Sequence, residues 1–124
     1  MADRPVLQPT AQHPITVTPT DGRVVVRVNG EPVADSRAAL TLQESNYPAV
    51  QYIPLDDVDQ KVLTRSDTAS YCPYKGDAGY YSVNVGGAVV EDALWFYDEP
   101  YDAVAPIAGH VAFYADKADI SVTR

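Results

Sequence analysis

The stretch Arg23-Val24-Val25-Val26-Arg27-Val28-Asn29-Gly30-Glu31-Pro32-Val33 decides the fold. Val24, Val26 and Val28 recur at every second position, which is the period of a strand that buries one face. Asn29-Gly30 follows directly. Both residues tolerate the positive φ that the two central positions of a type I′ turn demand, so the chain is predicted to reverse there and return as a strand through Val33.

Outward from this hairpin the same signals repeat. Ile15 to Thr18 alternate apolar and polar residues, and Thr20-Asp21-Gly22 turns the chain. Residues 1–14, with Pro5, Pro9 and Pro14 among polar neighbours, show no hydrophobic period and read as a flexible N-terminal arm; residues 15–124 read as a single domain. Downstream, Ala38 to Glu44 fit either a strand or a helical turn. Ala49 to Ile53 form a strand that Pro54 stops. Leu55 to Leu63 fit a short helix with Asp56 and Asp57 near its N-terminus. Tyr80 to Val85, the Gly86-Gly87 turn and Ala88 to Val90 predict a second hairpin, and Leu94 to Tyr97, Gly109 to Tyr114 and Ile120 to Val122 are further strand-like runs. Roughly eight such runs against one or two short helices indicate a mostly β, antiparallel domain.

Composition narrows the function classes. The formal net charge of −8 opposes binding to nucleic acid or to an anionic membrane surface. No apolar run approaches the roughly 20 residues of a membrane-spanning helix, and the N-terminus lacks a secretory pattern, so a soluble cytoplasmic protein is expected. One cysteine cannot make an internal disulfide. Cys72, His13 and His110 are too few for the usual four-ligand structural zinc site, so neither a metal nor another cofactor is expected.

Candidate chemistry concentrates in Thr68 to Tyr81, which holds the only cysteine, a lysine in a Pro/Gly turn and four tyrosines. Cys72 is a candidate nucleophile, with Lys75 to stabilise a thiolate and His110 as a base if the fold brings it near. The plainer reading makes Cys72 a small buried hydrophobe. Lys75-Gly76 is not a phosphate loop, because that motif needs glycines before the lysine and Ser/Thr after it; Gly76 reads as a turn residue that leaves Lys75 at a rim. Tyr52, Tyr71, Tyr80, Trp95, Tyr97 and Tyr114 fill a core or wall a pocket. Ser82 shares a predicted face with Tyr80, and Glu44 and Ser36 border apolar runs, so all three are added as candidate ligand contacts.

Several separated motifs carry a resemblance: Ala34-Asp35-Ser36, Tyr52-Ile53-Pro54 with Asp57-Val58, Cys72-Pro73-Tyr74-Lys75-Gly76, Ala93 with Trp95, and Gly109-His110-Val111-Ala112-Phe113-Tyr114. In this order they resemble the bacterial family known as domain of unknown function 427. The resemblance implies a β-tent (Mss4-like) fold, in which antiparallel sheets meet over a ligand-sized groove. Family members are sometimes labelled nucleotidyltransferase. Two-metal nucleotidyl transfer needs closely spaced carboxylates, and Asp56, Asp57 and Asp59 are the one tight acidic cluster, read here as a solvated helix start.

The leading expectation is therefore a domain that binds a small molecule in an aromatic and polar groove formed by the central segment and the Trp95 strand. A transferase or thiol-dependent enzyme using Cys72 or Lys75 is the second reading. A homodimeric interaction module with an exposed sheet edge is the third.

Overall fold

The structure, a computed structural model, describes residues 4–124. Among these the strands are β1 (Ile15–Pro19), β2 (Arg23–Val28), β3 (Glu31–Ser36), β4 (Leu40–Glu44) and β5 (Val50–Pro54), then β6 (Leu63–Cys72), β7 (Gly76–Val85), β8 (Ala88–Phe96), β9 (His110–Phe113) and β10 (Asp119–Thr123). Seven of them form one sheet in the order β1-β4-β5-β9-β8-β7-β6, and β10-β2-β3 form a second. Neighbouring strands are antiparallel throughout. The chain is a small, mostly β domain.

The β2–β3 hairpin turns where the sequence places it, with Asn29 at φ 50 and Gly30 at φ 82. Val24, Val26 and Val28 are fully buried against Ile53, Val83, Leu94, Val111 and Phe113 of the larger sheet. Burying each valine contributes about 1.5–3 kcal/mol relative to exposure. A one-residue slip would turn all three to solvent, so burial fixes the register.

Strand alternation gives the larger sheet a second apolar face. Tyr52 turns away from Ile53, Trp95 from Leu94 and Phe96, and Ala112 from Val111 and Phe113. These residues gather with Leu42, Tyr97, and the buried Val104 and Ile107 of the 3-10 segment Asp102–Ile107. The chemistry-bearing side chains lie on this face.

Several elements differ from the sequence reading. The helix expected over Leu55 to Leu63 is two single 3-10 turns, Leu55–Asp57 and Gln60–Val62. Between them Val58 is extended (φ −106, ψ 139), buried, and bridged to Ala34, so tertiary pairing overrides local helix preference. Of Ala38 to Glu44, Leu40–Glu44 is strand, because β1 and β5 pair with the two edges of β4. Ala88 to Val90 and Leu94 to Phe96 belong to one strand, joined across an irregularity where Asp92 adopts φ 49.

Residues 4–14 belong to no strand or helix, yet they are tied to the β6–β7 hairpin. The Leu7 amide donates to the Pro73 carbonyl at 3.0 Å, the Tyr71 hydroxyl donates to the Pro5 carbonyl at 2.7 Å, and Arg4 pairs with Asp77. Met1 to Asp3, the remainder of the expected flexible arm, lie outside the described residues. Among the described residues no helix is long and apolar enough to cross a membrane.

Candidate functional site

The site begins at the turn between β6 and β7. Pro73-Tyr74-Lys75 reverses the chain, Cys72 pairs with Gly76, and the Lys75 amide donates to the Cys72 carbonyl at 3.2 Å. Gly76 sits at φ +111, and a Cβ there would lie 3.3 Å from the Glu99 carbonyl oxygen, so the position requires glycine. The Lys75 carbonyl is held by the Tyr101 amide at 3.0 Å. This anchoring turns Lys75 inward, leaving the residue only 8% exposed.

An ammonium so buried needs partners. Lys75 Nζ donates to Glu44 Oε1 at 2.6 Å and lies 3.9 Å from Cys72 Sγ. The second carboxylate oxygen, Glu44 Oε2, accepts from His13 Nε2 at 2.8 Å. The His13 ring stacks on Tyr74 with centroids 4.4 Å apart and planes 11° from parallel. Burial alone would raise the Glu44 carboxyl, but Lys75 and His13 together hold it below the usual carboxylate range. Glu44 is thus ionised, and both of its oxygens are engaged.

Lys75 and Glu44 stand in the wall of a cavity of about 240 Å³. Leu42, Pro48 and Val50 supply aliphatic wall, and Tyr47, Tyr52, Tyr80, Trp95, Tyr97 and Tyr114 supply aromatic wall. Trp95 Nε1 donates to Tyr52 Oη at 3.1 Å, with the two rings edge to face at 89°. Tyr80 Oη pairs with Ser70 Oγ at 2.7 Å. The hydroxyl of the buried Tyr97 makes no hydrogen bond with the described residues. Burial pushes the phenols of Tyr52 and Tyr97 well above their ordinary range, and Tyr114 is pushed up to about 12 by burial and by the adjoining Tyr80 hydroxyl. At neutral pH all three are uncharged O–H groups.

Of the candidate residues, the cavity brings together Glu44, Tyr52, Lys75, Tyr80, Trp95, Tyr97 and Tyr114. Cys72 is half-buried against the same apolar cluster and meets Lys75, but it is not part of the cavity wall. Ser36 lies in the smaller sheet, where its hydroxyl donates to Asp57 Oδ2 at 2.6 Å and accepts from the Ala38 amide at 3.0 Å. Ser82 accepts from the Asp92 amide at 3.0 Å and so serves the β7–β8 irregularity. Tyr71 is turned to the arm and to the Tyr101 hydroxyl, 2.8 Å away. His110 is held by the Ala108 carbonyl at 2.9 Å and lines a separate cavity of about 40 Å³ with Leu55 and Tyr81, so it is no base for Cys72.

The sequence reading did not bring Tyr47, Pro48, Leu42 or Val50 to the site, and it considered His13 only as a zinc ligand. An aromatic residue before proline in a polar loop, as in Ser45-Asn46-Tyr47-Pro48, was the available signal for two of them; for His13 there was none. The acidic cluster also has local tasks: Asp57 accepts from Ser36, and Asp59 accepts from the Lys61 amide at 3.1 Å. No group of three or more His, Cys, Asp or Glu side chains converges as a metal site among the described residues.

A roomier depression of about 560 Å³ runs beside β6 and β7. There Arg65 packs over Phe96 at 4.6 Å and Arg4 pairs with Asp77, while Asp67, Asp98 and Glu99 leave the depression net negative. Its charged residues are exposed, so it lacks the buried ammonium that distinguishes the smaller cavity.

Comparison with curated proteins gives no match. A family model described as "Domain of unknown function (DUF427)" matches residues 16–124, from β1 through the last strand. With nearly the whole chain covered, the protein belongs to the DUF427 family.

Proposed function

We propose that the protein is a binding module that takes one small organic molecule into the cavity walled by β4, β5, β7 and β8. The observation that carries this reading is a buried ammonium, Lys75, hydrogen-bonded to Glu44, the two set in a wall that is otherwise aromatic and aliphatic. Apolar surface with a few convergent polar groups is the usual makeup of a small-molecule site. A core with no ligand to meet would gain more from a well-packed apolar side chain than from a desolvated ion pair.

Nucleotidyl transfer has less support. Asp57 and Asp59 are committed to Ser36 and to the Lys61 amide, and the cavity offers one cation already paired with Glu44. A thiol-dependent enzyme is favoured by one contact, the 3.9 Å between Lys75 Nζ and Cys72 Sγ. The two antiparallel sheets packed over one core support a β-tent description of the fold.

Trp95 is the only tryptophan and lines the cavity, so its emission reports directly on an occupant. A screen of single-ring molecules should give saturable changes in Trp95 fluorescence. Val50→Phe, which fills the cavity from β5, should suppress them without lowering the urea midpoint. Binding that survives this substitution unchanged would move the site elsewhere and end the proposal.

A further inference from the structure

The cavity has a chemical polarity that defines its occupant, and the inference rests on the binding reading given above. Its strongest acceptors are already engaged: Glu44 Oε1 takes Lys75, Glu44 Oε2 takes His13, and Tyr52 Oη takes the Trp95 indole. Its donors are in surplus. An ammonium has three N–H groups, and Lys75 places one on Glu44 and one at long range toward Cys72 Sγ, leaving one for the cavity. The Tyr97 hydroxyl has no partner among the described residues, and the Tyr52 hydroxyl, which accepts from Trp95, meets no acceptor for its own proton among them. Burial keeps both phenols protonated and therefore able to donate.

Size sets a second bound. At about 240 Å³ the cavity falls below the roughly 300–1,000 Å³ of pockets for drug-sized ligands. One ring with a short substituent fills that volume, whereas a nucleotide would leave its sugar and phosphates outside it. A third bound comes from charge. An organic cation would face the Lys75 ammonium and a carboxylate already paired with it, despite the aromatic walls that elsewhere favour cations. An apolar occupant would cover the remaining Lys75 and Tyr97 donors without satisfying them, which costs binding energy.

From these constraints we infer that the ligand is a single-ring carboxylate, with its ring between Trp95 and the aliphatic wall of Leu42 and Val50 and its carboxylate on Lys75 and the Tyr97 hydroxyl. Lys75 then bridges two carboxylates, that of Glu44 and that of the ligand. The ion pair keeps Lys75 charged and oriented before the ligand arrives, which reduces the ordering needed on binding.

Benzoate, benzamide and benzamidinium share one shape and differ in charge and in acceptor capacity, so they test the inference on the full chain. Each is titrated against amide NMR shifts of the cavity strands. Benzoate is expected to saturate those shifts and to bind at least ~10-fold more tightly than benzamide, the size of one charge-assisted hydrogen bond. Benzamidinium should be the weakest. Tyr97→Phe, which removes only the hydroxyl oxygen, should reduce benzoate affinity several-fold and leave benzamidinium unchanged; Lys75→Met, if it folds, should erase the benzoate preference. Benzamidinium or benzamide binding as well as benzoate overturns the carboxylate assignment and leaves the cavity reading standing. Equal benzoate affinity in wild type and Tyr97→Phe also overturns the assignment. Silence of the cavity amides toward all three at about 10 mM, weaker than any specific site would show, overturns the binding reading along with it.

Discussion

Lys75 Nζ and Glu44 Oε1 meet at 2.6 Å although 31 positions separate them, because the β6–β7 turn folds back against the last residue of β4. Their side chains are 10% and 17% exposed, so each has lost most of its water. Removing one member strands the other. Lys75→Met should cost about 2–4 kcal/mol, somewhat below the range for fully buried pairs. Adding Glu44→Gln to that variant should recover a large part of the loss. A urea double-mutant cycle measures this, and additive single effects would show that the pair is not coupled.

Acid should expose the same pair. Because Glu44 titrates below the usual carboxylate range when folded, the unfolded chain binds its proton first as pH falls, and the native state loses stability progressively through the folded value. Its contribution is fully present above the ordinary carboxylate range. Glu44→Gln should therefore flatten part of the decline in urea midpoint between about pH 5 and pH 2. Identical acid limbs in the two proteins would assign the decline to other carboxylates.

How much of this was legible follows from what each residue answers to. Val24, Val26 and Val28 answer to a two-residue period and Asn29-Gly30 to turn geometry, both local, so the first hairpin could be read directly. Tyr80, Trp95 and Tyr97 could be grouped because strand alternation and the Gly86-Gly87 turn bring β7 and β8 together. β6 gave no alternation: Thr64 to Ser70 are, apart from Ala69, polar and mostly exposed on an outer strand whose pairing is carried by backbone hydrogen bonds. Val58 looked helical because its bridge to Ala34 is a tertiary fact. The approach of His13 to Glu44 depends on where an irregular arm is laid down, which neither period nor propensity encodes.

Gly76 tests whether the turn geometry positions Lys75. Alanine at φ +111 is strained and presses on the Glu99 carbonyl oxygen at 3.3 Å. Gly76→Ala should cost about 1–3 kcal/mol and should also disturb the cavity, seen as an altered Trp95 emission maximum in the folded protein. A destabilised variant with unaltered emission would separate the turn from the site.

The arm divides into two parts with different expected effects. Its contacts through residues 4–7 are made at exposed positions, by Arg4 to Asp77 and by the Pro5 and Leu7 backbone. Deleting residues 1–7 should leave the melting temperature nearly unchanged. Deleting residues 1–13 also removes His13 from Glu44 and from Tyr74, and should lower it by several degrees, the response to about 1 kcal/mol in a domain of this size. Equal melting temperatures for the two truncations would leave His13 without a structural role.

Cys72 decides between the binding and thiol-enzyme readings. Its sulfur lies 3.9 Å from Lys75 Nζ, but that ammonium donates at 2.6 Å to Glu44, whose negative charge offsets the field at the thiol. His110, the base suggested by the sequence, faces another cavity. Cys72 is half-buried beside the cluster that contains Leu42, Tyr52 and Tyr97, as expected of a packing residue. Alkylation of Cys72 by iodoacetamide at neutral pH should therefore run no faster than that of a free thiol. Cys72→Ser should keep the ligand-induced change at Trp95, at a stability cost of about 1–3 kcal/mol if the new hydroxyl finds no partner. Alkylation faster than the free thiol, blocked by a bound ligand, would instead make Cys72 a nucleophile whose activation comes from Lys75, and the cavity would then be a substrate site.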